Sequence, residues 1–248
     1  MEPRTSVEVE SRHLALLHRI SRVVSSSAQV DDILRDLIAL VADVTACDAC
    51  LVYLAEPETG DVVLRASQLP HRAEIGNLRM KAGEGVAGWV AEHRAPAVLS
   101  HGAFDDPRFK RFSSLVEDTY EALLSAPLIS GGDVIGVMNV HHKAPRSHSP
   151  EEIAIVTFIG EQLGGAIAKA HLAEANLRLQ EETLEMKRQL ELRKLVERAK
   201  GILQQKYSLS EGQAYLRLRN ESRRLRKPMA ELAQAIVLAD TIGRDASA

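Results

Sequence analysis

The stretch Leu123-Leu-Ser-Ala-Pro-Leu-Ile-Ser-Gly-Gly-Asp-Val-Ile-Gly-Val-Met-Asn-Val-His-His142 decides the fold of the first part of this chain. Two apolar runs, Leu123–Ser130 and Val134–His142, flank a Gly131-Gly132 tip that can adopt positive φ, so the segment reads as a β-hairpin. Upstream, residues 49–54 and 62–66 read as a second strand pair around the turn segment Glu56-Pro-Glu-Thr-Gly-Asp61. Residues 68–79 hold a loop and a short strand, residues 85–93 a short helix, and residues 96–100 another short strand. A polar loop carries Phe104-Asp-Asp-Pro-Arg-Phe109. Two helices precede the first strand. The first covers about residues 11–27, with Leu14, Leu17, Ile20 and Val24 at helical spacing. The second covers about Val30–Thr45, with Ile33, Leu37, Leu40, Val41 and Val44 on one side. Downstream, Ser149-Pro-Glu-Glu152 combines an N-cap serine, a proline at the first helical position and a Ser-x-x-Glu capping box. No proline follows until after Tyr207, which predicts a helix about 85 Å long at ~1.5 Å per residue.

The chain has 248 residues, enough for two modest domains, with ordinary apolar (45%) and charged (26%) fractions for a soluble protein. Its net charge of −3 hides a strong division. Residues 1–184 carry 17 Lys/Arg against 26 Asp/Glu, whereas residues 185–227 carry 13 against 5. A local cationic field of this kind attracts polyanions even when the whole chain is acidic. No uninterrupted apolar run approaches the ~20 residues of a membrane span. The polar, acidic opening lacks a signal-peptide pattern, and two cysteines make no disulfide framework. A cytoplasmic protein with no membrane partner is the expectation.

Several short motifs occur in an order that resembles the GAF family of small-molecule sensor domains. They are Lys81-Ala-Gly-Glu-Gly-Val-Ala-Gly-Trp-Val90, Asp106-Pro-Arg-Phe109, Ser125-Ala-Pro-Leu-Ile129 and Gly132-Asp-Val-Ile-Gly-Val-Met-Asn-Val140. The resemblance covers residues 12–172. It implies an antiparallel sheet with helices on one face and loops closing a pocket on the other. Arg108, Phe109, Tyr120, Asn139 and His141 are the candidate pocket residues, for a small-molecule ligand. The Asn-Lys-x-x-Phe-x-x-x-Asp-Glu motif of the family's cyclic-nucleotide-binding subset is not found. Cys47-x-x-Cys50 straddles a helix exit and a strand entry, away from the helix N-terminus that would activate a thiol, so Cys50 reads as a small buried strand residue. His141 and His142 alternate across a strand and cannot jointly face a metal; one reads as core and one as surface. There is no Walker loop, no His-Glu-x-x-His and no Gly-x-Ser-x-Gly. No catalytic residue, metal or cofactor is expected, and the chain reads as a non-enzyme.

Residues 173–190 form a helical connector. Leu163, Ala170, Leu177 and Leu184 are spaced by seven, as are Leu172, Leu179 and Met186. The two series lie about 160° apart, so they do not make one coiled-coil seam. The expectation is a homodimer in which these helices pack with the N-terminal helix of each protomer.

Residues 191–240 read as a three-helix bundle. Leu192, Val196, Ala199 and Leu203 share one face. Gly201, costly by ~1 kcal/mol in mid-helix, predicts a close backbone neighbour. Ser210 and Gln213 form a second capping box. The next helix turns Ala214, Leu218, Ser222 and Leu225 inward, and Pro228 starts a third with Met229, Leu232, Ala233, Ile236 and Val237 inward. Arg219, Arg223 and Arg226 make one stripe, with Arg217 and Arg224 beside it. Arginines bind phosphate bidentately and stack on unpaired bases.

The pattern Ala199-Lys-Gly-Ile-Leu203, Ala214-x3-Leu218-Arg-x2-Ser222 resembles the ANTAR family of RNA-binding antitermination domains; Arg223 departs from the Met that many members carry there. The resemblance implies binding to nascent leader RNA with paired stem-loops of six-base loops, which prevents a terminator from forming. Lys200 and Ser222 match the family's motif, and Tyr215 is placed to stack on a base. The fold class is therefore α+β: a GAF-like antiparallel sheet flanked by helices, a long connecting helix, then a small all-α bundle. The rival readings are a one-component DNA-binding regulator, for which no tight turn precedes a recognition helix, and a GAF-type thiol reductase using Cys47 or Cys50.

Overall fold

The computed structural model describes residues 6–25 and 29–245, in two compact units that divide between Glu174 and Ala175. The first opens with helices α1 (Ser6–Ser25) and α2 (Val30–Thr45), then strands β1 (Ala49–Ala55), β2 (Val62–Ser67) and β3 (Arg79–Met80). Helix α3 (Gly85–His93) leads to β4 (Ala97–Leu99), and β5 (Ala122–Ser130) and β6 (Asp133–His142) form the long hairpin. Helix α4 (Pro150–Tyr207) continues into the second unit, followed by α5 (Glu211–Leu225) and α6 (Met229–Asp245). The expected helical residues 26 and 27 lie outside the described residues.

The sheet is antiparallel, in the order β3-β2-β1-β6-β5-β4. Ser130 pairs with Asp133 across Gly131 and Gly132, whose φ values of 60° and 90° suit glycine. Side chains alternate between two apolar layers. Cys50, Val52 and Leu54 join Leu124, Ala126, Leu128, Met138 and Val140 in the layer shared with α1, α2 and α4. Ala49, Leu51, Tyr53, Leu123 and Val137 belong to the opposite layer, with α3 and the loops. Helix α4 contributes Val156, Ile159, Leu163 and Ile167 to the first layer. Gly160 and Gly164 let it lie close to β5: a Cβ on either would stand 2.4 Å from the carbonyl oxygen of Pro127 or Ile129. One 18-residue window of α4 reaches a mean hydropathy of 1.3, enough to pass a compositional test for a membrane span. Of that window 39% is buried, and Val156, Ile159, Leu163 and Ile167 of α4 lie in the core of the first unit.

On α1, Ile20 and Val23 are buried while Leu14 and Leu17 are exposed in the single chain. Two expectations need correction in this unit. His142 is buried like His141, because its ring lies 5.1 Å from that of His148 rather than in solvent. The Ser149 capping box is half made: Ser149 Oγ accepts from the Glu152 N–H at 3.1 Å, but the Glu152 carboxylate turns to Arg146 at 2.9 Å.

In the second unit Ala199, Leu203, Ala214, Leu218 and Ala233 are buried together, surrounded by Leu195, Val196, Leu209, Met229, Leu232, Ile236 and Val237. Leu192 and Leu225 are exposed, contrary to expectation. Leu192 precedes the first packed residue of α4, and Leu225 ends α5 just before Arg226 turns into the left-handed region. Gly201 also departs from the reading: open space, not a neighbouring backbone, lies where its Cβ would be.

Candidate functional sites

The cationic helix is α5. It begins with a complete capping box, Ser210 Oγ accepting from the Gln213 N–H and Gln213 Oε1 accepting from the Ser210 N–H at 2.9 Å. Ala214 and Leu218 define its buried side, which leaves the arginines on the remaining surface. Arg217, Arg223, Arg224 and Arg226 are exposed; Arg219 is half-buried, and its Nε has no hydrogen-bond partner among the described residues. Arg223 and Arg226 make no side-chain ion pair among the described residues. Arg224 pairs with Glu221 at 2.7 Å, and the Arg217 guanidinium stacks 4.1 Å above the Tyr207 ring. Tyr215 is exposed on the same helix.

Two motif residues hold the bundle together. The Lys200 side chain is 8% exposed, with Nζ 2.9 Å from Glu197 and 2.8 Å from Glu211. It thereby fastens α4 to the start of α5, and hydrogen bonds to these carboxylates raise its pKa. Ser222 Oγ donates to the Lys227 carbonyl at 2.6 Å, closing the turn from α5 to α6. Both polar groups are thus engaged inside the unit rather than offered on the arginine surface.

In the first unit, Phe109, Asn139 and His141 line one small cavity of about 20 Å³ together with Tyr53, Met80, Phe112, Asp118 and Leu123. That volume holds about one water. The other two sequence candidates fall outside its lining. Arg108 forks onto Asp106 at 2.9 Å through both Nε and Nη2 and lies 4.9 Å from the Trp89 ring centroid, so it shapes the loop. This hydrogen bonding holds the Asp106 carboxyl below its usual value. Tyr120 is buried edge-on to His141, their ring centroids 6.5 Å apart. Asn139 Oδ1 accepts from Ser125 Oγ at 2.7 Å.

Sequence reasoning missed Asp118, which lines the cavity, and its buried neighbour Glu117, in the short 3-10 turn Val116–Thr119. Glu117 Oε1 meets His71 Nε2 at 2.6 Å in a buried pair, and the Asp118 carboxylate accepts from the Phe112 N–H. Burial pushes Asp118 up to about 6. Burial, with the neighbouring His142, pushes His141 down to about 4, so its ring is neutral at pH 7. Glu117 Oε2 and His141 Nε2 are buried without hydrogen-bond partners among the described residues. Two adjacent acids in a loop carry no spacing signal; the turn that buries them is a tertiary event.

A more open groove of about 660 Å³ lies between α2 and β2, lined by Leu34, Arg35, Ile38, Arg65 and Gln68 among others. Both cysteines are free thiols, and burial raises the pKa of each, which makes them poor nucleophiles at neutral pH. Among the described residues no group of three His, Cys, Asp or Glu is placed to hold a metal ion.

The family model for the GAF domain matches residues 29–167, and that for the ANTAR domain matches residues 184–237. No curated protein matches the chain. Solved structures share the fold of the first unit. The GAF domain of a Coxiella burnetii phosphoenolpyruvate-protein phosphotransferase is 27% identical with a TM-score of 0.59, covering 65% of this chain and 96% of its own. The corresponding Acinetobacter domain is 22% identical with a TM-score of 0.58, covering 68% and 97%. A free methionine-R-sulfoxide reductase from Neisseria meningitidis is 16% identical with a TM-score of 0.55, covering 70% and 98%. The GAF–ANTAR combination is that of non-catalytic signal-transduction regulators. With a GAF domain over most of its first unit and an ANTAR domain after it, the chain belongs to the GAF–ANTAR family of signal-responsive antitermination regulators.

Proposed function

We propose that this protein is a cytoplasmic homodimer, without a membrane partner, that binds nascent leader RNA stem-loops through α5 and prevents terminator formation. The observation that carries the reading is the separation of faces on α5: Ala214 and Leu218 are buried while Arg217, Arg223 and Arg226 are exposed. Arg219, half-buried, adds positive charge at the edge of the same stripe. Tyr215 supplies an exposed ring for base stacking. Lys200 and Ser222 keep α5 in place. The GAF domain regulates this binding through the cavity lined by Phe109, Asp118, Asn139 and His141. His141 Nε2, a buried atom of that lining without a partner among the described residues, supports a small guest there that donates a hydrogen bond.

The test is RNA affinity measured across a salt series for Arg219→Ala with Arg223→Ala. Loss of two phosphate contacts should weaken binding and reduce the slope of log K against log[salt] by about 1.5. An unchanged affinity and slope refutes the assignment. Competition with duplex DNA in the same assay separates an RNA reader from a DNA-binding regulator.

A further inference from the structure

Arg217 and Arg219 stand on either side of the buried Leu218 in the sequence of α5. At about 100° per residue they leave the helix by opposite flanks. Arg223 and Arg226 follow Arg219 at i+4 and i+7, whereas Arg224 follows Arg217 at i+7. The arginines of α5 therefore form two rows, and the rows are fitted differently. Arg223 and Arg226 of the first row make no side-chain ion pair among the described residues. In the second row both guanidinium groups are held: Arg224 pairs with Glu221 at 2.7 Å, and Arg217 lies 4.1 Å from the centroid of the Tyr207 ring.

Tyr207 ends α4 and is 47% exposed, so its ring is not there to fill the bundle core. The chain around it is pinned. Ser208 enters the left-handed region at φ 52°, the Leu209 N–H donates to the Gln204 carbonyl at 3.2 Å, and Ser210 caps α5. This short connection holds the ring beside Arg217. The ring covers one face of the guanidinium; the Arg217 side chain is exposed and makes no hydrogen bond or ion pair among the described residues. Asn220, one turn further along the same flank, is exposed, and its amide makes no hydrogen bond among the described residues. A planar cation already ordered on an aromatic ring stacks on a base at lower entropic cost than a free arginine. We infer that Tyr207 and Arg217 form a stacking platform for one unpaired base of the RNA loop, with Asn220 beside it to hydrogen-bond that base's edge. Phosphate contacts then fall to the row of Arg219, Arg223 and Arg226. Tyr207 acts through Arg217, as a positioning residue. The inference rests on the RNA-binding reading and adds a base-reading site to it, one side of which comes from α4.

The experiment uses the full chain and an RNA of two stem-loops whose six-base loops are selected from a randomised pool on the parent protein. Each loop nucleotide of the selected RNA is then made abasic in turn. Affinity is measured for the parent, Tyr207→Leu, Tyr207→Phe and Arg217→Lys. The expected result is one loop position at which removing the base weakens the parent about tenfold or more. Tyr207→Leu and Arg217→Lys should bind the intact RNA as weakly as the parent binds that abasic RNA, and should be indifferent to the same base loss. Tyr207→Phe should match the parent. Arg217→Lys should also keep the parent's salt slope, because the charge stays while the plane is lost. If Tyr207→Leu and Arg217→Lys lose no affinity, or lose it equally against every abasic RNA, the stack only braces the bundle; the inference falls and the RNA-binding reading stands. A pool from which the parent selects no RNA overturns both.

Discussion

Burial sets the charge states of Asp118, His141 and His142, and the carboxyl and the imidazoles pull in opposite senses. Asp118, pushed up to about 6, favours the folded state when protonated; its contribution is present below the ordinary value of 3.8 and is lost as pH rises through about 6. His141 and His142, each pushed down to about 4, contribute stability above the ordinary value of 6.5 that is lost as pH falls through about 4. Two imidazoles outweigh one carboxyl, so stability should decline from pH 6.5 to pH 4, and Asp118→Asn should steepen the decline. Urea-denaturation midpoints across this range check the sign; a flatter profile in the variant refutes it. Lys200 makes a second residue-scale case. Lys200→Gln should lower the thermal midpoint of the bundle, because Glu197 and Glu211 lose their shared partner. The salt slope of RNA binding should stay at the parent value, which a lysine in contact with phosphate would not allow.

Adjacent glycines in α4 carry opposite constraints. Gly164→Ala would drive a Cβ into Ile129 and should cost about 1–3 kcal/mol through overpacking. Gly165 faces open space, so Gly165→Ala should instead add up to about 1 kcal/mol from helix propensity. Equilibrium unfolding of the two variants, measured side by side, tests the close helix–sheet approach. What could be read from the letters alone follows the same division between local and distant causes. The hairpin at Gly131-Gly132, the helix spanning 30–45 and the capping box at Ser210 are written in neighbouring residues, and each lies where its pattern puts it. Gly201 was misjudged because the approach of another backbone is decided by other segments, and here open space lies where its Cβ would be. Glu117 and Asp118 likewise escaped notice, being ordinary surface letters until a 3-10 turn buries them. On α5 the arginine stripe was legible because helical period alone separates it from Ala214 and Leu218. The inward duties of Lys200 and Ser222 were not, since Glu211 and Lys227 reach them only in the folded bundle.

At the scale of the whole molecule an acidic GAF unit is followed by a cationic ANTAR unit, and helix α4 is exposed in the single chain over residues 175–190. Its amide protection should therefore depend on association: hydrogen exchange in 175–190 should slow as protein concentration rises, while the core strands β1 and β6 keep their rates. Concentration-independent exchange there would mean that the helix needs no partner. The chain also contains a single tryptophan, Trp89, and this has a practical consequence. Its ring stacks 4.2 Å from that of His93 and lies under the Arg108 guanidinium, on the loop whose Phe109 lines the cavity. Indole emission thus reports on the sensor unit, with none contributed by the RNA unit. A guest that shifts the Asp106–Phe109 loop would register as a change in fluorescence, so the protein brings its own optical probe to a search for the signal it answers.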